Sequence, residues 1–427
     1  MNLLHGDNEM FLFKEMTMVV IFLFGSNLYG YFENNTSTQG LPINNVDLYQ
    51  SREKNTLTNI NEFYHSITKE QVGAKKNQVY VPVVDVTLFG ALSNNFTDNL
   101  NAFQRALSYI KLISGGEGGI LYVPPAFGEY KVSDSIEWDE TYGHITILGE
   151  GRSSHVHLAN KSKNGHLFGA LGSSASEDKW INGVTFKNIE VSTYEGSAFQ
   201  DDNAIGVSKA KNILFENVYV SQSNWKGITV QGNAQNVTFR NVEAIKCRKY
   251  GLGVEFSTVK DVEVINSVTH HNMEQGAHFT NAGDNERLKG LNIYGLASYK
   301  NGAEGIGVSG AESPNLSGID SHDNTGEGVK IYRTNNAKIK GKTLRNDLAG
   351  FRTILGQGHT VELDSQNNSL KDPNQRGNFF FESTPNCTLI SIKGKRRIQD
   401  LTNWSSNLIV MVPSSKGTAN LKLNEEK

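Results

Sequence analysis

Two glutamates occupy matching positions in a chain that repeats itself. Each stands directly before a glycine and an apolar stretch, in Glu304-Gly-Ile-Gly-Val308 and Glu327-Gly-Val-Lys-Ile331. If these positions stack on neighbouring turns of the chain, their backbones lie about 5 Å apart. A glycoside hydrolase needs two carboxylates, about 5–5.5 Å apart for retention and about 6.5–9.5 Å apart for inversion. Two carboxylates this close raise one carboxyl pKa, as a general acid requires.

Lys330 and Arg352 suit a different reaction. A lyase removes the proton beside a uronate carboxylate, and Lys330 is a candidate base because the like charge of Arg352, one repeat later, would lower the lysine pKa. Arg352 would then hold the uronate. The two glutamates lie in a turn, where strand alternation does not fix the side-chain direction. Two solvated glutamates beside Lys330 are therefore the alternative.

Further polar residues share a face with Lys330. Alternation along the glycine-led strands places Ile306 and Val308 inward and the residues between them outward. The two outward rows are Thr229, Gly253, His278, Gly307, Lys330 and Arg352, and then Gln231, Glu255, Thr280, Ser309 and Tyr332. Aromatic rings beside hydrogen-bonding groups suit sugars, so the predicted ligand-binding residues are Trp225, Tyr250, Glu255, His278, Tyr332 and Arg352. Plain solvent-facing surface is the competing interpretation of each.

No cofactor and no metal are predicted. We expect no cluster of histidine and carboxylate side chains at metal-ligand spacing in this sequence. The formal net charge of −3 gives no electrostatic reason to expect a nucleic-acid partner.

The repeat itself defines the elements that must position these residues. Its strands begin at glycines separated by 22 to 29 residues: Gly227, Gly251, Gly276, Gly305, Gly328 and Gly350. A period of this length indicates a solenoid. The inward positions mix Ile, Val, Phe and Leu, which favours strands over helices. The sequence therefore predicts an all-β fold, a parallel β-helix in which each coil buries its apolar side against the next.

Two sets of residues fix the predicted register. Asn188, Asn217, Asn241 and Asn266 follow their strands at equivalent places, which predicts a ladder of stacked asparagines at one turn. Val264 is expected to point inward, with Phe239 and Ile293 above and below it in neighbouring coils.

The segment before the repeats resembles a known superfamily. Val84-Asp-Val-Thr-Leu-Phe-Gly-Ala91, Gly118-Gly-Ile-Leu-Tyr-Val-Pro-Pro125 and Ile145-Thr-Ile-Leu-Gly-Glu-Gly151 are similar, in this order, to the opening of the pectate-lyase-like superfamily, which includes polygalacturonase-related proteins and phage tailspikes. The resemblance implies that the β-helix is right-handed. Between these segments, an apolar stripe begins after Thr97-Asp98, a candidate N-cap, and consists of Leu100, Phe103, Leu107 and Ile110. It predicts an N-terminal capping helix over the open end of the solenoid.

Four segments are expected along the chain. Residues 1–76 form an attachment, adaptor or targeting segment, and 77–160 the start of the β-helix with its capping helix. Residues 161–368 form the coils, and 369–427 form C-terminal strands or a cap. The apolar run Met16–Gly25 is too short to span a membrane, so no membrane span is predicted. The segment Ile67-Thr-Lys-Glu-Gln-Val-Gly73 is similar to a short sequence motif found upstream of receptor-binding domains in phage tail fibres and appendages.

These observations predict a protein that binds and degrades a polysaccharide. The resemblance implies a phage or prophage tail spike or appendage with depolymerase activity, found in the virion or outside the cell, with other virion proteins as further partners. A secreted polysaccharide lyase, hydrolase or epimerase is the first alternative. A glycan-binding adhesin without turnover is the second, and the fold alone does not separate the three.

Tail appendages are usually trimers, so the resemblance predicts a homotrimer. The purified chain should scatter light as a particle of three times 47.1 kDa. A monodisperse monomer in the same measurement would favour the secreted enzyme over the appendage.

Overall fold

A computed structural model describes residues 81–173, 176–196, 202–255, 258–281, 287–371, 378–390, 401–404, 407–414 and 417–423. These residues all belong to one compact unit, Tyr80–Lys427. The predicted adaptor, with the apolar run Met16–Gly25 and the motif Ile67–Gly73, lies outside the described residues.

Within the described part of the chain, the α-helix α1 (Leu100–Ser114) precedes the coils. Its buried residues include Phe103, Leu107 and Ile110, and the Phe103 ring meets that of Phe168 edge-on at 6.3 Å. The stripe therefore packs on the solenoid core as predicted. The N-cap is Asn99, one residue later than predicted, but Asp98 still accepts a hydrogen bond from the Leu100 amide at 3.1 Å. In the part of the chain described, no helix has the length and hydropathy that crossing a bilayer requires.

The remaining elements are short 3-10 helices and strands. The 3-10 helices are Val86–Phe89, Glu140–Tyr142 and Glu177–Lys179. The strands of the first half are β1 Val83–Asp85, β2 Gly118–Tyr122, β3 Tyr130–Val132, β4 Ile136–Trp138, β5 His144–Leu158, β6 His166–Leu171, β7 Ile181–Thr193, β8 Asn203–Gln222, β9 Ile228–Arg240, β10 Glu243–Ile245, β11 Leu252–Glu255, β12 Val259–His270 and β13 Ala277–Thr280. Those of the second half are β14 Leu288–Tyr299, β15 Ile306–Ser309, β16 Ala311–Glu312, β17 Asn315–His322, β18 Val329–Tyr332, β19 Lys338–Leu344, β20 Phe351–Ile354, β21 Thr360–Gln366, β22 Phe379–Glu382, β23 Thr388–Ile390, β24 Leu401–Trp404, β25 Leu408–Ser414 and β26 Gly417–Leu423.

The strands of the coils pair in parallel with their equivalents one coil away. One series of such pairs runs β9, β11, β13, β15, β18, β20 and β22, and another runs β9, β12, β14, β17, β19, β21 and β23. Parallel pairing continues past residue 368 into β24 and β25, and the antiparallel pair of β25 and β26 follows. This is the parallel β-helix that the repeat predicted.

The core is one continuous apolar column inside the coils. Phe186, Phe215 and Phe239 stack face to face at 5.7 and 5.0 Å, because equivalent residues of successive coils are about one strand spacing apart. Val264 pairs in register with Phe239 and Ile293 and is fully buried. The predicted inward register is therefore confirmed.

The asparagine ladder is also confirmed. The Asn217 amide donates to Asn188 at 2.8 Å, and the Asn241 amide donates to Asn217 at 3.1 Å. Asn266 continues the ladder, and all four residues adopt positive φ angles between 47° and 52°. Asparagine tolerates this left-handed conformation better than most residues, which accounts for its recurrence at the turn.

Replacing Val264 with aspartate should abolish cooperative unfolding, because it buries an unpaired charge at a cost of several kcal/mol. Lys260→Asp, at an exposed position on the same strand, is the matched control and should change the free energy of unfolding by no more than about 0.5 kcal/mol. Thermal unfolding followed by circular dichroism tests both variants. A Val264→Asp transition identical to the parent's would show that the inward register is wrong.

Candidate functional site

The outward row predicted from the sequence forms as expected. Strand pairing places Thr229, Gly253, His278, Gly307, Lys330 and Arg352 side by side in register. The next residue of the row is Phe380, over whose ring the Arg352 guanidinium lies at 5.1 Å. The row therefore runs parallel to the axis of the β-helix, with one residue per coil.

A second asparagine ladder, not anticipated from the sequence, holds the turn before this row. The Asn301 amide donates to Asn324 at 2.9 Å, and the Asn324 amide donates to Asn346 at 3.0 Å. All three side chains are buried. They stand just before the turn residues that lead to Glu304 and Glu327, so the ladder fixes the turns that carry the two carboxylates. The backbone amide of Gly305 donates to the Glu327 carbonyl at 2.9 Å, which confirms that the two glutamates stand on adjacent coils.

Both glutamates are buried and ion-paired. Glu304 is 9% exposed, and its carboxylate accepts hydrogen bonds from the Lys330 ammonium at 2.5 Å and the Gln275 amide at 3.2 Å. Glu327 is 2% exposed and pairs with the Arg352 guanidinium at 3.0 Å. Arg352 also reaches Glu382, at 2.9 Å. The alternative of two solvated glutamates is therefore wrong.

The predicted rise in carboxyl pKa is wrong for Glu304. Burial would raise the pKa of this carboxyl, but the charge and hydrogen bond of Lys330 outweigh burial and hold the pKa below its usual value. Glu304 is therefore a carboxylate at neutral pH, which suits a general base better than a general acid.

The lyase interpretation meets a related difficulty. Lys330 does not face Arg352 as a free base, because its ammonium donates a hydrogen bond to Glu304. Burial would lower the pKa of Arg352, but its hydrogen bonds to Glu382 and Glu327 raise it. A lysine that donates its proton to a carboxylate must give up that contact before it can accept a proton from a substrate.

An open groove of about 410 Å³ lies over these ion pairs. Its lining includes Glu304, Glu327, Lys330, Arg352 and the turn glycines Gly302 and Gly326. A Cβ at Gly302 would stand 2.0 Å from the Met273 carbonyl oxygen, so a glycine is required where successive turns approach so closely. The structure thus brings all three predicted catalytic residues into one concave site.

Three coils upstream, the same face is closed rather than open. The Lys226 ammonium forms an ion pair with the Glu255 carboxylate, and both residues are buried. The Tyr250 ring is 0% exposed, its hydroxyl lies 3.1 Å from the Thr229 hydroxyl, and burial raises the tyrosine pKa well above its ordinary value. Ligand contacts by Tyr250 and Glu255, as predicted from the sequence, are inconsistent with this burial.

Gly253 explains why Tyr250 is buried. A Cβ on Gly253 would stand 2.2 Å from the Tyr250 ring, so the ring fills the space that the missing side chain leaves. Gly307 differs, because the nearest atom to a Cβ built there is His278 Nδ1 at 3.7 Å.

The other predicted ligand-binding residues remain accessible. Trp225 and Tyr332 are half-buried, with the Lys249 ammonium 4.9 Å from the Trp225 ring centre and the Arg333 guanidinium 5.3 Å from that of Tyr332. His278 stacks on Tyr250 at 5.4 Å, and burial lowers its pKa, so its imidazole is neutral at neutral pH. Within the described residues, His278 Nδ1 is buried and has no hydrogen-bond partner, although the imidazole as a whole is half-buried.

The expectation that no cluster has metal-ligand spacing is contradicted. Glu129, His155 and His157 offer ligand atoms within 4.8 Å of one another. They lie on β5 and just before β3, away from the groove strands. The signal that could have revealed them is the His-x-His spacing, which places both rings on one side of a strand.

Comparison with known proteins shows the fold. A family model described as a right handed beta helix region matches residues 172–295. The A-module of the Azotobacter vinelandii mannuronan C-5 epimerase AlgE6 is 17% identical, with 77% of this chain and 97% of that chain covered and a TM-score of 0.54. The AlgE4 A-module of the same organism is 16% identical, with 77% and 100% covered and a TM-score of 0.51. PfbA, a surface adhesin of Streptococcus pneumoniae, is 10% identical, with 81% and 99% covered and a TM-score of 0.53.

No curated protein sequence matches the chain. The described coils form a right-handed parallel β-helix, as the sequence resemblance implied. At these low identities the structural similarity extends to the fold and not to the reaction.

The ion pair of Lys330 with Glu304 generates a stability prediction. Lys330→Met leaves a buried carboxylate without its cation and should lower the free energy of unfolding at pH 7 by about 1–3 kcal/mol. The folded-state pKa of Glu304 is lowered, so the contribution of the pair is fully present above the ordinary carboxyl pKa of 4.5 and is lost as pH falls through the folded value. The deficit of the variant should therefore be full at pH 7 and smaller at pH 3, below the ordinary carboxyl pKa, in thermal unfolding.

Lys340→Met is the matched control, because Lys340 pairs with Glu362 at 3.1 Å while 65% of its side chain is exposed. An exposed pair contributes at most about 1 kcal/mol. If both variants lose the same stability at both pH values, the buried pair has no special role.

Proposed function

We propose that the protein binds a polysaccharide in the groove over Glu304, Glu327, Lys330 and Arg352 and cleaves it there. The observation that carries this proposal is the burial of two carboxylates beneath an open groove, each held by a cation of the neighbouring strand row. Buried glutamates are rare, and each costs desolvation that its ion pair offsets only in part. Ionisable groups arranged in this way in a cleft are candidates for function rather than for stability.

The shape of the groove suits a chain-like ligand. It is open to solvent, and the strand rows advance by about 4.8 Å per coil, so a polymer can lie along several coils. Lys330 keeps 32% of its side chain exposed, and Arg352 keeps 15%. These two cations and the half-buried Tyr332 offer donors and an aromatic surface for a sugar.

Glu304 is the base in the chemistry we favour. Its carboxylate is ionised and fixed by two hydrogen bonds, so it can accept the proton of an attacking water in a hydrolysis. Glu327 would be the second carboxylate of the pair, and it would protonate the leaving oxygen only after the substrate has displaced the Arg352 guanidinium and the carboxylate has taken up a proton from solvent. In the lyase alternative, the substrate displaces Lys330 from Glu304, the ammonium loses its proton to solvent, and the free amine takes the proton beside the uronate carboxylate. The bond to the leaving sugar oxygen then breaks by elimination, and that oxygen takes a proton from water.

Two alternatives have support of their own. A polysaccharide lyase, hydrolase or epimerase without a virion is consistent with the fold similarity to the two mannuronan C-5 epimerase modules. A glycan-binding adhesin without turnover is consistent with the fold similarity to the pneumococcal surface adhesin. The tail-appendage role, with a homotrimer and other virion proteins as partners, rests on the sequence resemblances at 67–73 and 84–158.

Substitutions in the groove distinguish hydrolysis from elimination by a lyase. If Glu304 and Glu327 are the base and acid, Glu304→Gln and Glu327→Gln should each lower turnover of the true polysaccharide by at least about 100-fold while binding survives. If Lys330 is the base of a lyase, Lys330→Ala should abolish activity, both Gln variants should stay active, and the product should absorb as an unsaturated uronate. The measurement is incubation with a panel of capsular and wall polysaccharides, followed by assays of reducing ends and of absorbance.

Glu362→Gln is the matched control, since Glu362 lies outside the groove and pairs with the exposed Lys340. It should retain full activity. Should the parent release no fragments from any polysaccharide that it binds, both enzyme proposals fail and the adhesin remains. Truncation of Trp225 or Tyr332 to alanine should then weaken binding by about 1 kcal/mol or more.

A further inference from the structure

A second cluster of ionisable side chains lies on a different column of stacked strands from the groove. His155 and His157 flank Val156 on β5, and because Val156 is fully buried, both imidazoles point outward. Glu129 directly precedes β3, whose first residue, Tyr130, pairs in register with Val156. The register of two adjacent coils therefore brings one carboxylate beside two imidazoles.

The distances from the Glu129 carboxylate to the two imidazoles are slightly longer than those between ligand atoms around one metal ion. Glu129 Oε2 lies 4.0 Å from His155 Nδ1 and 3.9 Å from His157 Nδ1. Zinc bonds of about 2.0–2.2 Å in tetrahedral geometry separate ligand atoms by about 3.4 Å. Each of the two distances from Glu129 would have to close by roughly half an ångström, and all three ligand atoms already lie within 4.8 Å of one another.

The hydrogen bonds of Ser192 determine which nitrogens of the two imidazoles carry a proton. Its hydroxyl oxygen lies 2.7 Å from His155 Nε2 and 2.8 Å from His157 Nδ1. A hydroxyl donates one proton, so His155 Nε2–H donates to Ser192 and the Ser192 hydroxyl donates to His157 Nδ1, a second hydrogen bond that a metal bound at His157 Nδ1 replaces. This assignment leaves the Nδ1 lone pair of His155 facing Glu129. It also gives His155 the outer hydrogen bond that metal-bound histidines usually make through their second nitrogen.

The surroundings favour a cation that is open to solvent on one side. Glu190 Oε1 lies 4.0 Å from His155 Nε2 and adds a second carboxylate, which offsets the positive Lys131, the register partner of His157. The side chains of Glu129, His155 and His157 remain 25%, 23% and 19% exposed. A metal could therefore enter from solvent and keep a water as its fourth ligand.

We propose that Glu129, His155 and His157 bind a divalent transition metal of the zinc class. Two imidazoles and one carboxylate suit zinc, whereas calcium and magnesium prefer sites built from oxygen ligands. The bound metal links β3 to β5, and Ser192 of β7 orients it from the next coil. It thereby clamps the first coils of the solenoid, next to the capping helix.

The test is calorimetric titration of zinc chloride into the full chain, prepared without a histidine tag and treated with a chelator. The parent should bind one zinc ion per chain. His155→Ala and His157→Ala should each weaken binding by at least about 100-fold, and Ser192→Ala by about tenfold, as expected for a residue that orients a ligand. The matched control is His322→Ala, because His322 is a half-buried histidine that bonds Asp323 at 2.7 Å outside the cluster. It should bind zinc like the parent.

Thermal unfolding supplies a second readout. Zinc should raise the unfolding temperature of the parent and of His322→Ala but not that of the His155 and His157 variants, since a ligand stabilises only the fold that binds it. Glu129→Gln serves if a histidine variant fails to fold. The proposal is overturned if the parent shows no stoichiometric zinc binding, or if the cluster variants bind zinc as tightly as the parent.

Discussion

The structure depends on the register of parallel pairing between coils. Pairing places equivalent residues of successive coils about 4.8 Å apart. Each side chain therefore lies next to the side chains at the same position in the coils above and below. Apolar residues then stack into a core and asparagines into ladders. Like charges would repel in such a row, and Lys330 beside Arg352 is the clearest case. Each of these cations is neutralised by a glutamate from the turn, Glu304 for Lys330 and Glu327 for Arg352.

This arrangement links the fold to the proposed chemistry. The turn carrying Glu304 is held by the buried ladder of Asn301 and Asn324, whereas Lys330 is held by the strand row. The Glu304 carboxylate therefore belongs to a turn and the Lys330 ammonium to a strand, and each is positioned independently. The two groups form their ion pair beneath the groove. Pre-organised charges of this kind cost little reorganisation when a substrate binds. The upstream part of the face has no such groove, because the Tyr250 ring fills the space beside Gly253.

Strand residues could be predicted from the sequence with their side-chain directions, whereas at turns the stacked positions could be predicted but the side-chain directions could not. Alternation along a strand fixes inward and outward positions, so the outward row with His278 and the core position of Val264 followed from the repeat. In turns no such rule applies, and the directions of Glu304 and Tyr250 depend on contacts with neighbouring coils. The solvated alternative for Glu304 and the ligand role of Tyr250 failed for that reason. The cluster of His155 and His157 was missed because its third member, Glu129, comes from another coil, and register there required the structure.

The central claim is that a polysaccharide binds over the buried ion pairs of Glu304 and Glu327. Hydrogen–deuterium exchange of the full chain, with and without a polysaccharide that it binds, tests this claim directly. Binding there predicts slower exchange on ligand addition in the peptides that cover Gly302–Ser309 and Gly326–Tyr332, with the strand Lys338–Leu344, which lies outside the groove lining, unchanged. Protection confined to other coils, with no change at these turns, would contradict it.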